Sequence, residues 1–543
     1  MTIGSRRNFR YWFYALILFS PVIIVYACHF ISSWQAGAIP TGFIHYDMPY
    51  YMANAREYAD RPGFSFLYPS PYTDSYDSAP IYFQPHLFVL GMIFKLFHPD
   101  PGVLFVLFGL VSGIVCLRIL LALYEDVFGL DTPMKWLGVI LFAWGGGVLC
   151  LSGFFVNLLQ GQSMYPLLES TLRFDPFKGW WFLNVGRNLI LPTEAYYHAL
   201  FFATILLVRR KKYVWAFLLT AIMSFSQPFT GVELICILLV FSVFERFANS
   251  SEKMPIAFPL GIGLLFFLHM AYYFWFLQQN PEHRLLFGQW ALGWFLGFNS
   301  NVLAEILVGL FAFWNIRTPK LFREFFRNDF NRLCLAWYVV SFLLSHHQWF
   351  IRPLQPLHFT RGYTWAPLFL MGANNIILLL EYFRHRQKKL VRIAAITLFC
   401  FIMLSDNLVW MTWTAGRMLR DNSCRMSKAD QSFYGFVNEH QEDLKSSLLI
   451  SEDEKVGYWS VAYTSLRSWF SHEYNTPDAF VHRSAQNDYF RSCMMNTSWQ
   501  HRDLLVVFLK RPDRDISCPV RLLHEAKRVF ENDRYIAYRQ LAY

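Results

Sequence analysis

Long apolar runs alternate with polar joints from residue 11 to residue 413. Runs at about 11–34, 102–124, 135–158, 195–208, 213–227, 231–247, 256–277, 299–315, 331–345, 364–382 and 393–413 predict about eleven transmembrane helices. Roughly 20 apolar residues are enough to cross a ~30 Å hydrocarbon core. The apolar stretch His86–Phe97 is too short for that and is expected to lie at the interface or re-enter. Pro228 and Gly231 break the pattern between two runs and predict a tight turn there. Beyond 413 the chain is polar. Short apolar runs at 448–450, 504–509 and 535–538 predict strands, and 521–531 reads as an amphipathic helix. The predicted fold is a polytopic α-helical membrane domain over 1–413, followed by a small extracytoplasmic α/β domain over 414–543.

Charge orients this pattern. Lys/Arg clusters fall at the amino terminus (Arg6, Arg7, Arg10), at 209–212, at 317–327 and at 384–392. Positive residues hold loops in the cytoplasm, and eleven alternating spans place all four clusters on that side, with Glu245, Arg246 and Lys253. The first run is too long for a signal-peptide core and lacks a convincing cleavage site, so it is read as a retained helix. The expectation is a multi-pass plasma-membrane protein with a cytoplasmic amino terminus. Its long polar loops, 35–85, 159–194, 278–297 and 345–363, then share the outer face.

Composition agrees: 55% of residues are hydrophobic, 19% aromatic and 16% charged, against about 25% charged in soluble domains. The net charge of +10 sits in clusters beside the spans and does not call for nucleic acid. The nine cysteines show no zinc-like spacing. Cys493 and Cys518 are candidates for a disulfide if the tail is outside, which spacing alone does not establish. His346-His347 lacks a carboxylate partner at recognisable spacing, so a divalent metal is not favoured and no cofactor is assigned.

Candidate chemistry concentrates in the outer loops. Asp47, in Tyr46-Asp47-Met48-Pro49-Tyr50, follows the first span by about a dozen residues, and two readings stand. It is an ordinary solvated loop acid or a helix N-cap, since Pro49 and a helix-like stretch to Tyr58 follow. Or it is a carboxylate at the apolar boundary, with a pKa raised toward general-base values. His358 and Arg361, one helical turn apart, could grip a phosphate together with Arg352, or simply snorkel. Arg187 and Glu194 could join a site or pair with each other; Glu57 and Glu194 are secondary acids. Trp180, Trp181 and Trp349 could stack on a sugar or sit in an interfacial belt. Polar or ionisable in-span residues are few: Arg118, Glu233, His269, Glu305, Asp406 and Asn407.

These segments resemble the glycosyltransferase C superfamily of integral membrane enzymes. The likeness rests on Tyr46-Asp47-Met48-Pro49-Tyr50 with Ala55-Arg56-Glu57-Tyr58, on Pro228-Phe229-Thr230, and on Gln355-Pro356-Leu357-His358-Phe359 with Arg361. Ser471-His472-Glu473-Tyr474-Asn475-Thr476-Pro477 adds an outer-domain segment. The chain departs from better-known members in having no second acid beside Asp47. The resemblance implies a bacterial inner-membrane enzyme that moves a sugar from a polyprenyl-phosphate donor to a glycan, lipid or protein acceptor outside. It implies Asp47 as general base, inversion at the anomeric carbon, and donor phosphate held by Arg361, His358, Arg352 and Arg187. The alternatives are a transporter or flippase of a lipid-linked glycan, which needs functional in-span charges, and a non-catalytic assembly factor.

Overall fold

The computed structural model describes residues 3–61, 63–161, 167–180, 183–247, 254–386, 388–512 and 516–542. Helices cover every predicted span. Among the described residues, six are long and apolar enough to cross a membrane: Phe9–Gln35, Pro101–Phe128, Pro228–Phe247, Ala257–Gln279, Trp365–His385 and Lys389–Arg420. Two bent pairs raise the number to eight if each is one span. They are Pro133–Trp144 with Leu149–Leu159, bent by 70°, and Phe298–Trp314 with Pro319–Arg327, bent by 95°. The eleven-span expectation therefore reduces to a membrane protein with six to eight such helices. The remaining predicted spans are helices of 18, 14 and 17 residues: Pro192–Arg209, Tyr213–Ser226 and Asp329–Ser345. They are too short, or too polar in part, to count by the same measure. Pro85–Phe97 is a separate short apolar helix.

By its contacts the chain divides into two units. The first comprises 1–28, 108–270 and 292–420; the second comprises 29–107, 271–291 and 421–543. The first outer loop thus clusters with the carboxyl-terminal segment rather than with the helical bundle, and the last long helix runs to Arg420 rather than ending near 413. Lys253 lies outside the described residues, as does Trp181, and the Arg6 and Arg7 side chains are not described.

Within the first unit, ion pairs join helix ends at one level. Arg209 meets Asp329 at 3.3 Å, Arg210 meets Asp126 at 3.4 Å, and Arg332 pairs with Glu245. Tyr11 donates to Glu125 at 2.7 Å. The break in the third predicted span has a chemical cause. The Gly145-Gly146-Gly147 turn passes close to Ala304, where a Cβ on Gly147 would meet Leu303 O at 2.1 Å. The exposed amides are met by Asp406, whose carboxylate accepts from Leu149 and Cys150 N–H at 3.3 and 2.8 Å. Asn407 donates to Trp144 O and Gly145 O at 2.6 and 3.2 Å. Free amides at a helix start need such acceptors.

In the second unit, β1 (Ile39–Pro40) pairs antiparallel with β2 (Arg425–Met426). Five further strands are β3 (Leu448–Ser451), β4 (Arg467–Ser468), β5 (Leu504–Leu509), β6 (Lys527–Glu531) and β7 (Tyr535–Gln540). They form one sheet in the order β4-β3-β5-β7-β6. β3 is parallel to β4 and β5, while β7 runs antiparallel to β5 and β6. Leu448, Ile450, Leu504, Val506 and Phe508 pack with Trp469, Tyr489, Phe490 and Trp499 as a core. Each such large side chain contributes roughly 1.5–3 kcal/mol on burial. The expected helix over 521–531 is corrected. Ser517–Arg521 is one short helical turn, Glu525 turns the chain at φ +45°, and 527–531 is an edge strand. Pairing with β7 overrides a helical apolar spacing that a strand accommodates as well. Cys493 and Cys518 are disulfide-bonded, with Cα atoms 6.1 Å apart.

Candidate active site

Asp47 occupies the N-cap position of the helix Met48–Asp60, with Pro49 in the first turn, yet its side chain makes no capping hydrogen bond. The carboxylate turns to two histidines instead. Oδ1 lies 3.4 Å from His472 Nε2, and Oδ2 lies 3.6 Å from His45 Nδ1. Of the two sequence readings, capping by the side chain is therefore not realised. Asp47 is half-exposed (50%), whereas His472 is buried (1%).

The backbone orients the His472 ring. The Tyr474 N–H donates to His472 Nδ1 at 3.1 Å, which leaves Nε2 as the ring nitrogen facing Asp47. Tyrosines surround the imidazole: Tyr46, Tyr50, Tyr72 and Tyr458 have ring centres 4.8, 5.7, 5.7 and 5.1 Å away. Tyr458 fixes the loop by donating to Tyr46 O at 2.6 Å and accepting from Tyr50 N–H at 3.1 Å. Tyr46 in turn accepts from Glu473 N–H at 3.1 Å. Crowding by this shell works to raise the Asp47 carboxyl. The His472 hydrogen bond and the charges of His45 and His472 outweigh it and hold the carboxyl below its ordinary value. The direction is opposite to the sequence expectation, which considered dehydration without the imidazole donors.

Glu57, on the same helix, pairs with Arg467 at 3.0 Å. Arg467 also donates to Ser70 O at 2.6 Å and is 5% exposed, so Glu57 anchors the loop. Burial raises its carboxyl and Arg467 opposes that.

In the first unit, Arg361 and His358 do come together. Arg361 is buried, ion-paired with Glu194, and donates to His358 Nδ1 at 2.5 Å. His358 stacks on Phe229 at 4.5 Å and 10°. Burial, then the neighbouring Arg361 charge, pushes the His358 imidazole well below its usual value, which keeps Nδ1 free to accept. Residues 361 and 362 are both left-handed, at φ +33° and +77°. A Cβ at Gly362 would meet the Asn184 carbonyl carbon at 2.8 Å, so only glycine fits there. Gln227 Oε1 accepts from Phe229 and Thr230 N–H and caps the helix Pro228–Phe247.

The other candidates fall elsewhere. Arg187 is wholly buried and occupied by Asp175 (2.8 Å), Asn407 Oδ1 (2.8 Å) and Asp406 O (2.6 Å). It pairs with neither Glu194 nor a site residue. Arg352 is exposed and makes no ion pair with a described residue. Trp180 packs edge-on against Trp410, and Trp349 lies beside His346, 61% exposed. His347 Nδ1 donates to Leu344 O and its Nε2 accepts from Leu354 N–H. Among the described residues no group of three or more His, Cys, Asp or Glu side chains is arranged to hold a metal.

No family model matches this chain, and no curated protein matches it. The residues that sequence reading did not single out are His45, His472 and Tyr458. His472 lies within the 471–477 segment that carried the resemblance. His45 is two positions from Asp47, and nothing local marks Tyr458.

Proposed function

We propose that this chain is a membrane glycosyltransferase that moves a sugar from a polyprenyl-phosphate donor to an acceptor on the extracytoplasmic face. The observation that carries the proposal is the Asp47 carboxylate. It is open to solvent on one side, turned away from its own helix, and faced by the buried His472 imidazole. A loop acid serving only as a cap needs none of this.

In the proposed reaction the acceptor hydroxyl oxygen attacks the anomeric carbon while its proton passes to Asp47. The bond from that carbon to phosphate oxygen breaks on the opposite face, and polyprenyl phosphate leaves as the anion. One displacement inverts the configuration, as in inverting glycosidases. The phosphate is already a competent leaving group, so one carboxylate suffices. His472 orients that carboxylate and keeps it ionised, and Tyr46 and Tyr50 offer aromatic faces beside it. The resemblance implies Arg361, His358 and Arg352 as phosphate ligands; of these Arg361 is buried and already paired with Glu194, and Arg187 is given a role in the fold. The Cys493–Cys518 disulfide supports an oxidising, extracytoplasmic setting for the carboxyl-terminal part. The in-span Asp406, which a transporter could have used, is occupied in closing the helix break.

The test is sugar transfer by Asp47→Asn protein in membranes, with labelled lipid extract as donor and thermal unfolding measured in parallel. Loss of transfer in a folded variant supports the assignment. Undiminished transfer removes Asp47 from the chemistry.

A further inference from the structure

The helix Pro319–Arg327 takes no part in this chemistry, yet it is carefully held. It turns 95° from the apolar helix Phe298–Trp314, and a short charged helix set across an apolar one suits a membrane interface. Both ends are fixed by side chains. Thr318 Oγ1 accepts from Leu321 N–H at 3.3 Å, with Pro319 in the first turn. At the other end Arg332, buried and paired with Glu245, donates to Phe326 O and Arg327 O at 2.7 and 2.9 Å. Phe325 is buried, and Phe326 packs against Phe244 with ring centres 5.7 Å apart.

The opposite face is cationic. Lys320, Arg323 and Arg327 are exposed and, at 100° per residue, fall within roughly 60° of arc. Glu324 is the helix's one acid, and none of the three cations makes an ion pair with a described residue. Phe322, 42% exposed, lies on the apolar side, stacked on Phe326 with ring centres 5.9 Å apart, and just upstream Arg317 lies 3.9 Å over the exposed Trp314 ring. Positive charge that only sets topology needs no common face and no capped helix. A stripe of cations above an apolar edge, continuous with a span, fits a layer of phosphates above acyl chains.

We infer that Lys320, Arg323 and Arg327 form a docking surface for the headgroups of anionic phospholipids, with Phe322 at the acyl boundary. The surface binds phosphatidylglycerol in preference to phosphatidylcholine of the same chains.

The test is native mass spectrometry of the full-length protein exchanged into mixed micelles of these two lipids. Each surface cation is worth about a fivefold factor, so the expected preference is roughly ten- to a hundredfold, shrinking with added salt. The triple variant K320Q/R323Q/R327Q loses it, and the charge-preserving K320R/R323K/R327K keeps most of it. An undiminished preference in the glutamine variant overturns the inference. So does equal retention of both lipids by the native protein. Displacement of phosphatidylglycerol by millimolar inorganic phosphate reassigns the surface to free anions.

Discussion

Asp47 and Arg361 are both charged, both in loops near apolar segments, and both bonded to a histidine, but their settings are opposites. Asp47 is half-exposed and faces the His472 and His45 rings. Arg361 is 5% exposed and its charge is already balanced by Glu194. The first arrangement leaves the carboxylate available at little cost to the fold. In the second, the fold depends on the pair, because separating a buried ion pair strands a charge. A charged residue near a presumed site is thus informative only once its partners are known.

That contrast can be broken in order of expected effect. Asp47→Asn is expected to lower the transfer rate by roughly 10²–10⁴-fold while leaving thermal unfolding nearly unchanged; an unfolding shift as large as that of an Arg361 variant erases the distinction. Arg361→Met is expected to destabilise the protein by ~3–5 kcal/mol, since Glu194 is left buried and unpaired. Denaturation in detergent measures this, and Glu194→Gln with Arg361→Met should recover part of the loss. His472→Phe should cost less, about tenfold, and should move the acid limb of the transfer profile upward. The sign follows from Asp47. Its folded value is depressed, so the charged form persists above the ordinary carboxylate value and is lost only as pH falls through the depressed one. Without the imidazole donor the crowding effect dominates and the carboxyl rises. His472→Gln, whose amide can replace the Nε2–H, should hold the limb in place. The smallest effect is expected for Tyr46→Phe. It removes the acceptor for Glu473 N–H and should cost no more than ~1 kcal/mol of stability.

Much of the helical part was legible because a bilayer demands continuous apolar runs; each predicted run is helical. Where the reading failed, long-range partners decided. Asp406 and Asn407 read as in-span polar curiosities, and only their contacts with 144–150 show that they close a break. Arg187 reads as a phosphate ligand until Asp175 and Asn407 are seen to occupy it. Residues 521–531 carry apolar positions compatible with either period, and β7 decides. Asp47 was legible as a candidate, but its histidine neighbours lie two and 425 residues away, and the distant one has no spacing to betray it. The pKa direction was lost with it.

The pairing of β1 with β2 has a consequence for synthesis. Ile39 and Met426 are register partners, and His472 follows later still. The segment bearing Asp47 emerges early on the ribosome, but its strand partner and its imidazole are made only after the last long helix. Until then the loop has no template to fold against, so its ordering is a late, non-local event. A chain that stops before residue 472 can form its helices yet cannot bring Asp47 against His472.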